Sequence, residues 1–166
     1  MNGHVIANCT QPAVELPYAP PAQTCNGTYV CLPRVYLETM VRGGQVRCLL
    51  DTGSEAVLAP YEMVSKYKCK LRATQTRNIN AANGSTIFIE GEATIPLQVE
   101  GKCLDTVALI SKDIKEVILG LQFLEQHDGN WDFAKKRIKF GQGNWIDLVS
   151  RYQGTCSRIY AIYARL

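Results

Sequence analysis

The acidic residue Asp51 stands where a carboxylate is hard to accommodate. It lies in the stretch LLDTGSEAVLAP, residues 49–60, between two apolar segments that are each typical of a strand. Burying a charge there is costly unless specific groups receive it. The hydroxyls of Thr52 and Ser54 can receive it, and Gly53 lets the backbone approach the carboxylate closely. Two interpretations stay open on these residues alone: an aspartate that caps a turn, or a carboxylate held in one orientation for chemistry.

The chemistry open to such a carboxylate depends on how many copies of it meet. A single carboxylate is a poor catalyst of amide hydrolysis, whereas two carboxylates about 3 Å apart share one proton, so that one acts as acid and the other as base toward a water. The chain offers one such loop, because the similar Asp105-Thr106 pair continues into Val107 within a strand pattern. A second carboxylate would therefore come from another copy of the chain across a twofold axis.

The sequence lacks the common motifs of other enzyme classes. It contains no G-x-S-x-G, no glycine-rich phosphate loop and no H-E-x-x-H. Its seven cysteines are odd in number, no two stand at C-x-x-C spacing, and neither of its two histidines lies near a cysteine cluster. We therefore expect no metal, no cofactor and no disulfide framework, and we expect reduced thiols in a cytosolic setting.

The elements that must position Asp51 are short strands. From Pro33 onward, strand-like segments alternate with Gly, Asn and Asp turns, which predicts an all-β domain. RVYLETMV and QVRCLL form a hairpin about Gly43-Gly44 that ends at Asp51, and Pro60 suits the first position of a short helix. A second hairpin, TRNINAANGSTIFIEG, has Asn83-Gly84 at its tip, which favours a type I′ turn.

The second half of the sequence repeats the pattern of the first. Val117 to Leu119 is predicted as a buried strand that reaches Gly120 and passes into a short helix. Each half gives a strand, a turn, a return strand and an apolar pair ending in glycine, so the two apolar segments are expected to cross near the centre of a small closed β-structure. A last hairpin, NWDFAKKRIKF, supplies expected core residues: Trp131, Phe133, Ile138 and Phe140.

Length and composition predict one folded domain with segments at both ends. The 166 residues are 46% hydrophobic and 20% charged, as in ordinary soluble domains. We expect a flexible proline-containing linker over residues 1–30, the domain over 31–148, and a strand-like tail over 149–166 that is either a dimer interface or the start of the next polyprotein region. The net charge of +3 is scattered, which argues against nucleic-acid binding, and no stretch approaches the roughly 20 apolar residues that span a membrane.

Three segments together resemble a known family. LLDTGSEAVLAP, NAANGSTIFIEG and VILGLQFL, in this order, are similar to segments of the retropepsins, the aspartic proteases of retroviruses and long-terminal-repeat retrotransposons, and most of all to those of gypsy-type elements. The resemblance covers about residues 33–140. It implies a small closed β-barrel with one or two short helices that forms half of a symmetric dimer, with the active site between the two copies.

The resemblance also implies roles for the residues around Asp51. Asp51 would be the catalytic aspartate, Thr52 would brace the partner loop, and Gly53 would complete the motif. The Ser54 hydroxyl would bond the outer carboxylate oxygen. Glu55 falls where the retroviral enzymes often carry an aspartate that contacts the substrate backbone, so its longer side chain leaves that contact open.

Two further segments complete the implied site. Residues 78–90 resemble the flap, a hairpin that closes over the substrate, and its tip would contact substrate through Ala82, Asn83, Gly84 and Ser85. The apolar segment Ile118, Leu119 and Gly120 would support the active-site loop.

The resemblance implies an aspartic endopeptidase that is active as a homodimer. A water held by the two aspartates would attack a peptide carbonyl, and the substrate would be an extended peptide of a retroelement polyprotein that includes the chain itself. Its place would be the cytoplasm or a retroelement particle. Two alternatives stay open: a catalytically silent module of the same fold that dimerises or binds peptides, and, more weakly, a cellular ubiquitin-linked relative, for which the chain shows no companion domain.

Overall fold

A computed structural model describes residues 34–151 and two short strands that precede them. These strands, β1 (Thr24–Cys25) and β2 (Thr28–Tyr29), pair antiparallel in a unit that ends at Val30, and residues 34–151 belong to a second unit. The remainder of the predicted linker over 1–30 lies outside the described residues. Of the predicted tail over 149–166, only residues 149–151 are described.

The second unit is built mainly from short strands. The strands are β3 (Arg34–Val41), β4 (Gly44–Leu50), β5 (Leu58–Pro60), β6 (Asn78–Asn80), β7 (Thr86–Phe88), β8 (Gly91–Val99), β9 (Lys102–Ser111), β10 (Val117–Leu119), β11 (Gly129–Asp132), β12 (Arg137–Phe140), β13 (Ile146–Asp147) and β14 (Val149–Arg151). The helices are α1 (Glu62–Lys66) and α2 (Leu121–Gln126). The all-β prediction with two short helices is confirmed.

Six of these strands close into a barrel. Their order is β3, β4, β10, β5, β9 and β8, and β8 pairs back with β3 where Met40 lies opposite Gln98. The β4/β10 and β5/β9 pairs are parallel and the other four are antiparallel. Strand β14 pairs antiparallel with the first three residues of β3, Arg34 to Tyr36, within the same chain. The predicted closed barrel is therefore confirmed.

The barrel encloses one apolar core. Every second residue of β8, from Gly91 to Val99, is buried, as expected for a strand with one face toward the interior. The large core side chains that are exposed by 1% or less include Leu37, Val41, Ile95, Leu97, Ile110, Leu119, Phe123 and Ile138.

Two tight turns join the antiparallel strands of the barrel. Both central residues have positive φ in each turn, 46° and 83° at Arg42-Gly43 and 47° and 76° at Glu100-Gly101, which is the type I′ geometry that suits the twist of a hairpin. The prediction placed the first turn at Gly43-Gly44 and was wrong by one residue. Gly44 instead opens β4, where a Cβ would lie 2.5 Å from the Tyr67 ring.

The predicted start of the first helix is also wrong. Pro60 is the last residue of β5 and pairs with Ser111 of β9. The N–H of Tyr61 continues this contact by donating to the carbonyl of Ser111 at 3.0 Å, so the helix begins only at Glu62. Pairing across the sheet overrides the preference of proline for the first helical turn.

Candidate active site

Asp51 lies where two strands from the two halves of the chain run side by side. Strands β4 and β10 are parallel, with Leu49 opposite Ile118 and Leu50 opposite Leu119. The N–H of Asp51 then donates to the carbonyl of Leu119 at 3.1 Å. The two apolar segments thus meet as the internal repeat predicts, and Asp51 is the first residue to leave the paired strands.

The loop that follows holds the Asp51 carboxylate in one orientation. The N–H of Gly53 donates to Asp51 Oδ1 at 2.9 Å, and the N–H of Ser54 donates to the Asp51 carbonyl at 3.1 Å. Asp51 as a whole residue is half-buried, whereas Thr52 and Gly53 are exposed. A carboxylate that accepts a backbone N–H is held in place without a neighbouring cation.

The N-terminus of helix α2 holds the loop that follows Asp51 through hydrogen bonds. Its first two N–H groups, on Leu121 and Gln122, have no partner within a helix, and they donate to the carbonyls of Ser54 and Glu55 at 2.8 and 2.9 Å. Gly120 lies directly beneath, where a Cβ would overlap the carbonyl oxygen of Ser54 and lie 2.5 Å from that of Ala56. Only a residue without a side chain allows this approach.

The other predicted site residues near the loop differ in their hydrogen bonds and in their burial. The Ser54 hydroxyl donates to the carbonyl of Ala56 at 2.9 Å, and not to the outer oxygen of Asp51 as the resemblance implies. Glu55 is exposed, so its carboxylate faces solvent. Leu119 is fully buried and Ile118 is half-buried, which places this segment inside the barrel as the support of the loop.

The segment that resembles a flap, residues 78–90, contains a separate two-stranded hairpin of β6 and β7. Ile79 lies opposite Ile87, and both are half-buried while their neighbours in the strands are exposed. The hairpin therefore has one apolar face, formed by these two isoleucines. A flap over an extended substrate requires such a face on its inner side.

The type I′ turn predicted for the flap tip is wrong. Gly84 alone has positive φ, at 81°, and its N–H donates to the carbonyl of Ala81 at 2.8 Å. The N–H of Ala81 donates in turn to the carbonyl of Ser85 at 2.8 Å. This is a three-residue loop with glycine at the position that needs positive φ. Asn83 Oδ1 accepts from the Ser85 N–H and hydroxyl, so these side chains bond each other within the tip.

The four predicted tip residues, 82–85, therefore lie together in one turn. The loop around Asp51 is bonded to another segment. Residues 51–55 and 118–120 are connected directly by hydrogen bonds. Among the described residues, no hydrogen bond connects the tip residues 82–85 to the Asp51 loop.

A groove that the sequence does not predict lies beside the loop that follows Asp51. It has a volume of about 360 Å³, and Thr52 lines it together with Leu121, Leu124, Trp131 and Phe133. The rings of Trp131 and Phe133 stack with their centroids 4.4 Å apart. Phe133 is 65% exposed, so its prediction as a core residue is wrong, whereas Ile138 and Phe140 are buried as expected. The sequence signal for this groove is Phe133, an aromatic residue within the turn that also contains Lys135 and Lys136.

Strand β11 forms one wall of this groove and has one unpaired edge. The small sheet has the order β11, β12, β13, which leaves β11 outermost. An exposed strand edge beside an exposed aromatic residue is a surface that proteins usually cover. The groove, the edge of β11 and Thr52 thus form one continuous surface, which we call the loop-side face.

Within residues 34–151 and the β1/β2 pair, no group of three or more His, Cys, Asp or Glu side chains is placed to hold a metal ion. No helix in these ranges has the length and apolar character needed to cross a membrane.

Comparison with known proteins gives a family and a fold. Residues 37–126 match the family described as gag-polyprotein putative aspartyl protease, which is more than half of the chain. The retroviral protease-like domain of Ddi1 from Leishmania major is similar in structure over 72% of this chain and 96% of that domain, with a TM-score of 0.59 and 14% identity. No curated protein matches the sequence.

Two further solved structures are similar over shorter stretches. EIAV protease in complex with the inhibitor HBY-793 is 20% identical and covers 61% of this chain and 91% of its own, with a TM-score of 0.46. A retropepsin-like aspartic protease from Rickettsia conorii is 23% identical and covers 60% of this chain and 76% of its own, also with a TM-score of 0.46.

Proposed function

The chain belongs to the family of gag-polyprotein aspartyl proteases, and we propose that it is an active aspartic endopeptidase that works as a homodimer. The observation that carries this proposal is the placement of Asp51, a half-buried residue at the end of the paired β4/β10 strands whose carboxylate accepts the Gly53 N–H. A carboxylate that only capped a turn would not need the close approach of Gly120 beneath its loop.

The mechanism follows from two such carboxylates. When Asp51 and the partner's Asp51 lie about 3 Å apart, one keeps a proton and the other is ionised, because two like charges at that distance are not tolerated. The ionised group takes a proton from a bound water as that water attacks the peptide carbonyl. The protonated group gives its proton to the carbonyl oxygen, which yields a tetrahedral diol that collapses to the two products.

The loop-side face supports the homodimer. Thr52 is exposed next to Asp51 and lines the same groove as Phe133. Pairing of two copies over this face would bring the two Thr52-Gly53 turns together, cover the edge of β11 and bury the stacked rings of Trp131 and Phe133. A twofold axis through one self-complementary surface is the commonest arrangement in soluble dimers.

The substrate of the proposed enzyme is an extended peptide of a polyprotein that includes this chain. The apolar face of the flap, with Ile79 and Ile87, is suited to cover such a peptide, and Ala82 to Ser85 at the tip and Glu55 beside the loop are proposed to contact it. Reduced cysteines are compatible with processing in the cytoplasm or in a retroelement particle; the described thiols of Cys48, Cys69 and Cys103 are free.

The test is a cleavage assay with the full chain. The purified protein is incubated with a peptide library at about pH 5, where a shared proton favours the reaction, with and without pepstatin and beside Asp51→Asn. We expect cleavage that pepstatin inhibits and that Asp51→Asn abolishes. We also expect the wild-type chain to release its N-terminal segment. Absence of cleavage by a confirmed dimer would instead support a silent module of the same fold.

A further inference from the structure

The base of the flap is bonded to the barrel side through two outward-facing backbone N–H groups. Within the flap hairpin, the N–H of Ile89 donates to the carbonyl of Arg77 at 3.0 Å, and the N–H of Ala81 donates to that of Ser85. Because hydrogen-bonding groups alternate along an antiparallel strand, the N–H groups of Phe88 and Glu90 point away from the hairpin, toward the barrel.

The barrel receives these two groups in different ways. The N–H of Glu90 donates to the backbone carbonyl of Ile110 at 2.8 Å, close to the end of β9. The strand ends one residue later, at Ser111, so no carbonyl of β9 is in line for the next group. The N–H of Phe88 donates instead to the side chain of Asp113, at 3.0 Å from Oδ2. A carboxylate therefore extends the sheet by one step toward the flap.

Asp113 is itself held on the barrel side. Its N–H donates to the Ser111 hydroxyl at 3.0 Å, and Ser111 is fully buried. The neighbouring Lys112 ammonium lies 3.3 Å from a carboxylate oxygen of Glu90 and 4.9 Å from the centre of the Tyr61 ring. The first contact ties the Asp113 backbone to a buried residue of β9, and the ion pair of Lys112 with Glu90 is a second, weaker link next to it.

We propose that Asp113 is a positioning residue that sets the position of the flap over the substrate. This inference rests on the proposed protease function. The Phe88 side chain is 63% exposed, so packing of its ring contributes little at this point and the backbone contact with Asp113 holds the strand. Asp113 lies in the loop between β9 and β10. It is not among the site residues that the resemblance to retropepsins implies, and it acts on the substrate only through the flap.

The experiment compares backbone exchange and kinetics in three variants of the full chain. Asp113→Ala removes the acceptor, Asp113→Asn keeps a side-chain oxygen, and Asp105→Ala removes an exposed acid of strand β9 as the control. In Asp113→Ala we expect the Phe88 amide to exchange about two- to tenfold faster, the range that corresponds to the net contribution of one hydrogen bond. We expect tip residues 82–85 to exchange faster as well, and the other two variants to exchange as wild type.

The kinetic readout separates positioning from catalysis. With Asp113→Ala, we expect KM to rise by about the same factor while kcat stays within about twofold of wild type, because binding under the flap is weakened and the reacting groups are unchanged. Asp113→Asn should restore KM.

Three results would overturn the inference. The first is an unchanged exchange rate of the Phe88 amide in Asp113→Ala. The second is a Phe88 amide that exchanges as fast in Asp105→Ala as in Asp113→Ala, and the third is one that exchanges as fast in Asp113→Asn as in Asp113→Ala. The exchange measurement needs no substrate, so it decides the role of Asp113 even if the wild-type chain cleaves nothing. Conversely, an active protein with unaltered Phe88 exchange in Asp113→Ala would refute the inference and leave the proposed protease function intact.

Discussion

The substitution Gly120→Ala tests how closely the start of helix α2 packs against the loop that follows Asp51. The Cβ of an alanine there would overlap the carbonyl oxygen of Ser54 and come within 2.5 Å of that of Ala56. Both are backbone atoms, so no side chain can rotate away, and the loop or helix α2 must move by about 1 Å to reach ordinary contact distances. That movement strains the hydrogen bond from the Leu121 N–H to the Ser54 carbonyl, now 2.8 Å.

The expected loss of stability is the sum of the cost of overpacking and the cost of the weakened hydrogen bond. Overpacking of this kind costs about 1–3 kcal/mol, and a weakened buried hydrogen bond adds about 1 kcal/mol. We therefore expect Gly120→Ala to lower the free energy of unfolding by about 2–4 kcal/mol, a large part of the stability of a domain this size.

The assay is urea unfolding of the full chain, with all variants at one protein concentration because dimerisation also adds stability. Gly53→Ala is the matched control, since its Cβ would meet only Asp51 Oδ1, at 3.1 Å. We expect the control to change the unfolding free energy by less than about 1 kcal/mol. A Gly120→Ala variant within about 0.5 kcal/mol of wild type would refute the close approach beneath the loop.

Three further predictions follow from other parts of the molecule. Phe133→Lys should shift the dimer toward monomer in sedimentation, while Phe88→Lys, a change at a similarly exposed ring, should not; equal effects would argue against the loop-side face. Burial lowers the pKa of His127, so the folded state resists a proton that the unfolded chain accepts near pH 6.5, and stability present above about pH 6.5 is lost as the pH falls below it. The melting temperature should therefore drop more between about pH 7 and 5 in wild type than in His127→Gln, and parallel curves would contradict this. Burial raises the pKa of Cys48 to about 12, so iodoacetamide at about pH 8 should label exposed Cys103 in the native protein and leave Cys48 unmodified, as judged by peptide mass.

The central part of the fold was predictable because its signals are local. The apolar pairs before Gly53 and Gly120 each predict a buried strand that ends in a turn. In the structure these two strands, β4 and β10, pair in parallel. The position of Asp51 at the end of β4 follows from that pattern alone. The need for glycine at position 120 was predictable as a motif, but its physical cause, the carbonyl of Ser54 beneath a helix start, appears only in three dimensions.

The errors occur where partners distant in sequence decide the outcome. Pro60 would suit a helix start, but pairing with Ser111 extends β5 through it. The flap tip carries the residues of a type I′ turn, but the bond between Ala81 and Ser85 sets a three-residue loop. Asp113 is 25 residues from its partner Phe88, and no periodicity in the sequence connects them.

The most direct test of the account is the activity of mixed dimers. Wild-type chain and Asp51→Asn chain are combined at constant total concentration, allowed to exchange subunits, and assayed for peptide cleavage. If each active site needs Asp51 from both copies, activity falls as the square of the wild-type fraction, to about a quarter in an equal mixture. Activity of about one half, as expected if each copy acts independently, or of about three-quarters, as expected if one Asp51 is sufficient for a dimer, would contradict a shared pair of aspartates.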